Sequence, residues 1–269
     1  MPLKIICILC ACIVPLLVTG PFLPDLLLSL LSLWFLYHSL KYKIYYVYQN
    51  IYFYAFISFW LVCILSSLLS DDILLSLKGS LFYVRIGIFA LLISYLIDQN
   101  KKILDYFYYA LLITFLSLII DGYYQYVTGF NVFGYKLSAF YRVSSFFGQE
   151  LILGSYLTRL FPLLFALFVS RSNKHPLEIY CIFIIFLLTD ILIFLAGERA
   201  AFALLNLSTV FIIIMISNYK GIRAGVFIIS LCAIAFLMYK DARLFDRYIS
   251  SPAESSGFVI SKEAKDTNQ

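Results

Sequence analysis

Charged residues are scarce in this chain. Asp, Glu, Lys and Arg make up only 13% of its 269 residues, whereas 63% of the residues are hydrophobic. The mean hydropathy of +0.94 is typical of a chain whose apolar surface is solvated by lipid. The composition therefore excludes a water-soluble globular domain and predicts an integral membrane protein.

The chain is also poor in the side chains that build metal centres and disulfide frameworks. It contains two His and six Cys residues. Three of the cysteines lie in "CILCAC", a spacing that raises the alternatives of a metal site and a lipoprotein cleavage site. Because no His or carboxylate lies near them and the apolar segment before Cys12 is very short, we predict small buried apolar side chains, with no metal and no cofactor.

Positive charge exceeds negative charge without forming a cluster. The formal net charge is +5, but the basic residues are spread thinly through short loops. A nucleic-acid-binding surface gathers its basic residues into a patch or stripe. We therefore predict no nucleic-acid partner and expect membrane lipids to surround the protein.

Long hydrophobic blocks account for most of the sequence. They recur at about 20 residues, the length that spans a hydrocarbon core as an α-helix. We predict an all-α, multi-pass transmembrane helix bundle of about nine spans. The predicted spans are residues 4–20, 23–40, 51–69, 81–97, 103–120, 151–170, 178–196, 200–217 and 222–239.

The short loops indicate how the spans are oriented. If the spans alternate in direction, most basic loop residues fall on one side, which is the cytoplasmic side by the positive-inside rule. These residues are Lys4, Lys41, Lys43, Lys101, Lys102, Arg171, Lys174, Lys220 and Arg223. The N-terminus is then cytoplasmic, and the long loop at residues 121–149 faces outward.

A change of composition divides the chain near its C-terminus. Residues 1–239 read as one transmembrane helix bundle, because no long polar insertion and no repeat of fixed period interrupts them. From Lys240 onward the sequence is polar. We predict that residues 240–269 form an outward-facing tail.

A few charges lie inside or beside the apolar blocks. Arg159 in the sixth span and Asp190 in the seventh lie at a similar depth, roughly 9 to 12 Å from the outer surface at the helical rise per residue. A charge in lipid is costly unless a partner or a site uses it. We therefore predict a structural ion pair between Arg159 and Asp190.

Four arginines are predicted to lie in the outer half of the bundle. Arg199 and Glu198 occupy the outer turn between the seventh and eighth spans, Arg142 lies in the outer loop, and Arg85 and Arg159 lie within the outer ends of their spans. A guanidinium group binds phosphate oxygens in a bidentate manner, so such a cluster is suited to pyrophosphate. The alternative is that each arginine snorkels or pairs with a structural carboxylate.

The stretch "SSFFGQELILGSYL" offers a second anion site. A small polar turn with Ser144, Ser145 and Gly148 leads into a helix whose first turn would contain Glu150. A helix N-terminus attracts anions, although Glu150 itself could complement the helix dipole. Both interpretations remain open from the sequence.

Two segments carry a resemblance to a known family. At "YRVSSFFGQELILGSYLTRLFPLL" and "FLAGERAAFALLNL" the chain resembles the O-antigen ligase and O-antigen polymerase family of bacterial envelope proteins, over most of residues 70–239. The resemblance implies a glycosyltransferase of the bacterial inner (cytoplasmic) membrane. Such a protein moves a glycan from undecaprenyl pyrophosphate to lipid A core, or to a growing polysaccharide, at the periplasmic face and without nucleotide sugar or metal.

The resemblance also assigns roles to residues. Arg199 matches an arginine that engages the pyrophosphate, and Arg142 matches the arginine that opens the earlier motif. Arg85 and Arg159 join this pyrophosphate-binding set through their predicted depth alone. The acceptor hydroxyl also needs a general base, and the residues themselves offer two candidates, Glu150 and Glu198, the latter beside the catalytic Arg199.

The chain departs from the family pattern in its histidines. The family base is associated with a histidine in a large outer loop, whereas His38 and His175 here lie at the predicted inner ends of spans. We expect residues 240–269 to be the beginning of that loop, disordered when alone, and the chain to bind carrier lipid without transferring glycan. The alternatives from other classes are a transporter or exporter of an anionic solute and an inactive partner in polysaccharide assembly.

Overall fold

The fold is helical throughout the part of the chain that the structure describes. This computed structural model describes residues 3–138, 141–171, 174–245 and 247–248. Its helices are α1 (Leu3–Leu16), α2 (Phe22–Lys41), α3 (Ile51–Leu68), α4 (Ile73–Phe82), α5 (Val84–Gln99), α6 (Ile103–Thr128), α7 (Leu153–Ser170), α8 (Pro176–Leu195), α9 (Arg199–Met215), α10 (Lys220–Lys240) and α11 (Ala242–Phe245). The predicted all-α class is confirmed for these residues.

Among the residues that the structure describes, seven helical segments are long and apolar enough to cross a membrane. One of them combines α4 and α5 into the 27-residue segment Ile73–Gln99. Two further apolar segments, Leu3–Thr19 and Arg199–Met215, are shorter. The structure therefore agrees with a helical membrane bundle, and seven of the predicted nine spans meet the length and composition of a crossing helix.

The surface of these helices is apolar, as contact with lipid requires. In α3, only 6% of the most apolar window is buried inside the protein, and large side chains such as Tyr52, Phe59 and Leu65 are exposed. Water would oppose such exposure, whereas acyl chains solvate it. The helices are therefore built to be surrounded by lipid.

The chain divides into two compact units, Met1–Leu111 and Leu112–Gln269. Helix α6 contributes its first turns to the first unit and the rest to the second. The core of the first unit includes the fully buried Ile6, Phe35 and Leu92. Cys7 and Cys10 are buried in the same core, which confirms the apolar role predicted for those two cysteines.

In the second unit, α7, α8, α9 and α10 pack through large apolar side chains. Phe161, Phe165 and Phe168 are buried on one face of α7, and Phe161 and Phe165 meet Phe186 of α8 with ring centroids 5.0 and 5.6 Å apart. Within the same unit, α6 approaches α8 closely, because a Cβ added to Gly122 would lie 2.8 Å from Leu192 Cδ1. These contacts fix the ends of the helices that carry the candidate site.

Helix α6 is longer than the sequence predicted. The span was expected to end at residue 120, but the helix continues to Thr128 and stops where Gly129 adopts φ +85°. The Gly129 N–H donates to Gln125 O at 2.9 Å, as in a glycine C-cap. The expected outer loop therefore begins about two helical turns later in the chain. Its first aromatic residues, Tyr123, Tyr124 and Tyr126, lie on α6.

Candidate anion-binding site

The turn between α8 and α9 forms the floor of the site. Helix α8 ends as the Ala196 N–H donates to Leu192 O at 2.9 Å, and the Gly197 N–H donates to Phe194 O at 3.0 Å. Gly197 has φ +73°, a left-handed conformation that glycine adopts at little cost. The chain reverses there, and α9 begins at Arg199.

A network of buried polar side chains shapes the loop that faces this turn. Gln125 Oε1 accepts from the Ser144 and Ser145 N–H groups at 3.0 and 2.7 Å, and Asp121 Oδ2 accepts from Ser145 Oγ at 2.7 Å. Asn131 Nδ2 donates to Ser145 O at 2.7 Å. Because these groups are buried and mutually satisfied, they hold the loop in one conformation.

The network positions Arg142 against the α8–α9 turn. The Val143 N–H donates to Leu195 O at 3.3 Å, and the Arg142 Nε–H donates to Ala196 O at 2.9 Å. The guanidinium is thereby anchored at one nitrogen on the end of α8. The two sequence motifs that contain Arg142 and Arg199 thus meet in the structure.

Glu198 has a different role from its neighbour. Its carboxylate accepts from the Gly154 N–H at 2.8 Å, from the Ser155 N–H at 3.2 Å and from the Ser155 hydroxyl. These are donors at the start of α7, so Glu198 supplies the anion that this helix N-terminus attracts. A Cβ on Gly154 would lie 3.0 Å from Glu198 Oε1, which explains the glycine there.

The expectation for Glu150 is corrected by this arrangement. Helix α7 begins at Leu153, so exposed Glu150 precedes the helix instead of occupying its first turn. The helix was expected to start earlier because no break between residues 148 and 153 is evident in the apolar pattern. The N-terminus of α7 is filled by the protein's own Glu198 and is not a vacant anion site.

The segment after α10 folds back onto the same turn. The Tyr248 hydroxyl donates to Phe194 O at 2.8 Å, and the Tyr248 ring stacks on Phe194 with centroids 4.4 Å apart. Leu244 is also buried. Residues 241–245 and 247–248 therefore have defined contacts, while residues 249–269 of the predicted tail lie outside the described part of the chain.

This segment brings Arg247 to the site, a residue that the sequence analysis missed. A Cβ added to Gly197 would lie 2.8 Å from Arg247 Nη1 and 3.0 Å from Arg142 Nε, so those two nitrogens are within about 6 Å of each other. Like charges at that separation repel by about 3 kcal/mol at an effective dielectric constant near 20. The apolar spacing of Leu244 and Tyr248 was the available signal that the polar tail docks.

The nitrogens of Arg247 are shielded from solvent. Nε, Nη1 and Nη2 each expose less than 1 Å² and have no hydrogen-bond partner among the described residues. Burial lowers the pKa of the Arg247 guanidinium, and the nearby charges of Arg142 and Arg199 lower it further. Arg199 itself is exposed at the first position of α9.

The predicted partner of Asp190 was wrong. Arg223 Nη1 donates to Asp190 Oδ2 at 2.7 Å, Arg223 Nη2 donates to Asp190 Oδ1 at 3.1 Å, and Nη2 also donates to Thr209 Oγ1 at 2.6 Å. Arg223 is not a loop residue, because α10 begins three residues before it and its side chain is fully buried. Arg159 instead lies on the exposed face of α7.

Arg85 belongs to the first unit. Its Nη2 donates to Asp25 Oδ1 at 2.5 Å and its Nη1 donates to Ser29 Oγ at 2.9 Å. The pyrophosphate-binding roles of Arg85 and Arg159 stay predictions that rest on depth alone.

The histidines lie elsewhere. His175 caps the N-terminus of α8, at the opposite end of that helix from the Gly197 turn. His38 belongs to the first unit, where its ring stacks on Trp34 with centroids 4.8 Å apart.

Comparisons with known proteins identify no relative. No protein-family model, no curated protein and no solved structure matches the chain.

Proposed function

We propose that the chain has an O-antigen ligase-like site that binds an undecaprenyl-pyrophosphate-linked glycan, the donor of a glycosyltransferase reaction. The observation that carries the proposal is the meeting of Arg142 and the Glu198–Arg199 turn at one end of the second unit. These are the residues through which the sequence resembles that family. Their contact makes them parts of one site.

The contacts of the second unit support a one-sided site. Arg142 reaches the end of α8, Glu198 caps the start of α7, and Tyr248 binds Phe194 near the end of α8. All three contacts lie at the same helix ends. In the proposed topology, nine segments cross the inner membrane from a cytoplasmic N-terminus, and these ends face the periplasm.

The chemistry of the donor suits arginine. Cleavage of the glycosyl–pyrophosphate bond leaves charge on phosphate oxygens, and fixed guanidinium groups stabilise that charge without a metal. The acceptor in this proposal is a hydroxyl of lipid A core or of a growing polysaccharide. Arg199 and Arg142 are assigned to the pyrophosphate.

Glu198 receives a positioning role in place of the predicted catalytic one. Its carboxylate accepts three hydrogen bonds from α7, so it is committed to holding the start of α7 against the α8–α9 turn. A general base must instead reach the acceptor hydroxyl. We therefore assign contact with the pyrophosphate to Arg199 and a structural contact with α7 to Glu198.

The transporter alternative draws on the charges within the bundle. A transporter places polar groups near the midplane where they line a cavity. Asp190 and Arg223 are both buried and satisfy each other in a bidentate pair that Thr209 completes. This arrangement favours a structural pair over a solute site.

The test is binding of carrier lipid by the full chain in lipid nanodiscs. Arg199→Lys keeps the charge but loses the fork, so we expect the affinity for undecaprenyl pyrophosphate to fall about tenfold, and Arg199→Ala to lower it further. The matched control is Arg243→Ala, which removes an exposed arginine that is paired with Asp241. Equal affinity of wild type and Arg199→Ala would overturn the assignment, and no binding by wild type would overturn the proposed function.

A further inference from the structure

We propose that Arg247 is the central ligand of the carrier pyrophosphate and that Tyr248 completes the site by holding Arg247 in place. This inference rests on the proposed function and deepens it, because it names the residue that the sequence motifs do not contain. The same chemistry would accept free pyrophosphate, so the experiment must separate the two sources.

The guanidinium of Arg247 is shielded and unsatisfied among the described residues. Buried polar groups in folded proteins have hydrogen-bond partners, and a buried charge is paired or bound to a ligand. All three nitrogens of Arg247 are shielded from solvent without a partner among the described residues. In contrast, Arg223 lacks a partner only at Nε, since its other two nitrogens bind Asp190 and Thr209.

Positive charge gathers around Gly197. Arg142 and Arg247 both approach Gly197, and Arg199 lies close enough to lower the pKa of Arg247. The carboxylate of Glu198 is occupied by the start of α7. An anionic ligand such as a pyrophosphate would neutralise the charges of Arg142 and Arg247.

Asp241, a second carboxylate that acts on Arg247, is also occupied. Asp241 accepts from Arg243 Nε at 2.8 Å and from Arg243 Nη2 at 2.9 Å. The hydrogen bond from Arg243 holds the pKa of Asp241 below its ordinary value, so this carboxylate stays ionised on its own partner. Arg243, which lies in the same segment as Arg247, therefore already has a carboxylate partner.

The side chains of Arg247 and Arg142 both approach Gly197 closely. An added Cβ would lie 2.8 Å from Arg247 Nη1 and 2.9 Å from Arg142 Cγ. Any other residue would displace both arginines besides straining the left-handed backbone. Glycine at this position is what allows two guanidinium groups to share one small volume.

Tyr248, the next residue along the chain, anchors Arg247. Tyr248 stacks on Phe194 and donates to its carbonyl, and the ring also meets Phe202 at 5.9 Å. Burial raises the pKa of the Tyr248 hydroxyl to about 12, so it remains a donor across the physiological range. The position of Arg247 is thus set by protein contacts rather than by the ligand.

The experiment measures binding and unfolding of the full chain in nanodiscs. Probes are undecaprenyl pyrophosphate, undecaprenyl monophosphate and inorganic pyrophosphate. We expect Arg247→Gln to weaken binding of both pyrophosphates by about 10- to 100-fold, Arg247→Lys to have an intermediate effect, and the monophosphate to bind more weakly than the lipid pyrophosphate. Arg243→Gln makes the same charge change in the same segment and should stay within about twofold.

The thermal midpoint without ligand distinguishes a binding role from a structural one. Removing one of several repelling charges should leave the midpoint of Arg247→Gln unchanged or raised, and a lowered midpoint would indicate a structural role and overturn the inference. If Arg247→Gln fails to fold, full pyrophosphate affinity in folded Arg247→Lys would overturn it as well.

The remaining outcomes separate the inference from the proposed function. Wild-type affinity in Arg247→Gln together with a loss in Arg199→Ala would overturn the role of Arg247 and leave the proposed function standing. Binding of inorganic pyrophosphate as tight as that of the lipid would retain the site but reject the lipid carrier as its source. No pyrophosphate binding by wild type would overturn both.

Discussion

Glu198 and Arg199 are adjacent in the sequence but act on different parts of the molecule. The carboxylate of Glu198 turns back to the first N–H groups of α7, whereas Arg199 opens α9 on the exposed side of the turn. The two charges therefore meet two separate requirements. Glu198 satisfies the N-terminus of α7, which has no cap of its own because Ile152 at that position has no side-chain acceptor. Arg199 is assigned to the pyrophosphate.

This division of roles predicts different effects of the two substitutions. Glu198→Ala leaves the Gly154 and Ser155 N–H groups without their acceptor, so we expect it to lower the free energy of unfolding by about 1 to 2 kcal/mol. Glu198→Gln keeps one acceptor oxygen and should lose less. Reversible unfolding in detergent measures both.

The control for this prediction is Arg199→Ala. It should impair pyrophosphate binding while leaving the stability near that of wild type. A pattern in which Glu198→Gln removes binding at unchanged stability would instead place the carboxylate at the ligand.

At the scale of helices, most of the architecture could be predicted from the sequence. The apolar blocks at residues 23–40, 51–69 and 178–196 are found as α2, α3 and α8 within two residues at each end. The reason is that a span needs about 20 apolar residues with internal hydrogen bonds, which is a local property. Errors arose where an apolar pattern has no clear edge, as at the end of α6.

The side-chain partners could not be predicted in the same way. Depth along a helix suggested Arg159 for Asp190, but pairing depends on which faces of the helices meet. Arg223 of α10 meets Asp190 of α8, and its guanidinium carbon lies 4.7 Å from the centre of the Phe161 ring of α7. Arg247 was missed because its neighbours are polar and only the fold brings it to Gly197.

The buried pair between α8 and α10 leads to a prediction at this scale. Asp190→Leu leaves the guanidinium of Arg223 buried without a countercharge and should destabilise the protein by about 3 kcal/mol. The double variant Asp190→Leu with Arg223→Met removes both charges and should recover most of that loss. Unfolding of the purified variants in detergent provides the comparison.

The matched control is the pair of half-buried Asp241 and exposed Arg243, for which Asp241→Asn should shift the midpoint far less. If the double variant were as unstable as Asp190→Leu alone, the pair would be specifically required and not merely self-compensating.

At the scale of the whole molecule, the number of membrane crossings depends on α9. Helix α9 has 17 residues and rises about 25 Å, a few ångströms less than a typical hydrocarbon core. Thinning of the bilayer or the interfacial Asn218 and Tyr219 could cover the difference. Whether α9 crosses decides whether the α8–α9 turn and residue 218 lie on opposite sides.

Single cysteines in a cysteine-free background test this topology. Phe130 and Asn218 are both exposed, so a cysteine at either position is accessible to a membrane-impermeant maleimide. In cells whose outer membrane alone is opened, we expect Phe130→Cys to react and Asn218→Cys to react only after the inner membrane is breached, because the basic residues near 218 favour the cytoplasm. Lys101→Cys, in the loop before α6, should behave like Asn218→Cys.

Reaction of Asn218→Cys together with Phe130→Cys from the periplasm would show that α9 does not cross, and protection of Phe130→Cys in those cells would reverse the orientation. The reversed orientation would place the arginine cluster in the cytoplasm, away from any periplasmic glycan acceptor, and the proposed glycan transfer would have to be abandoned.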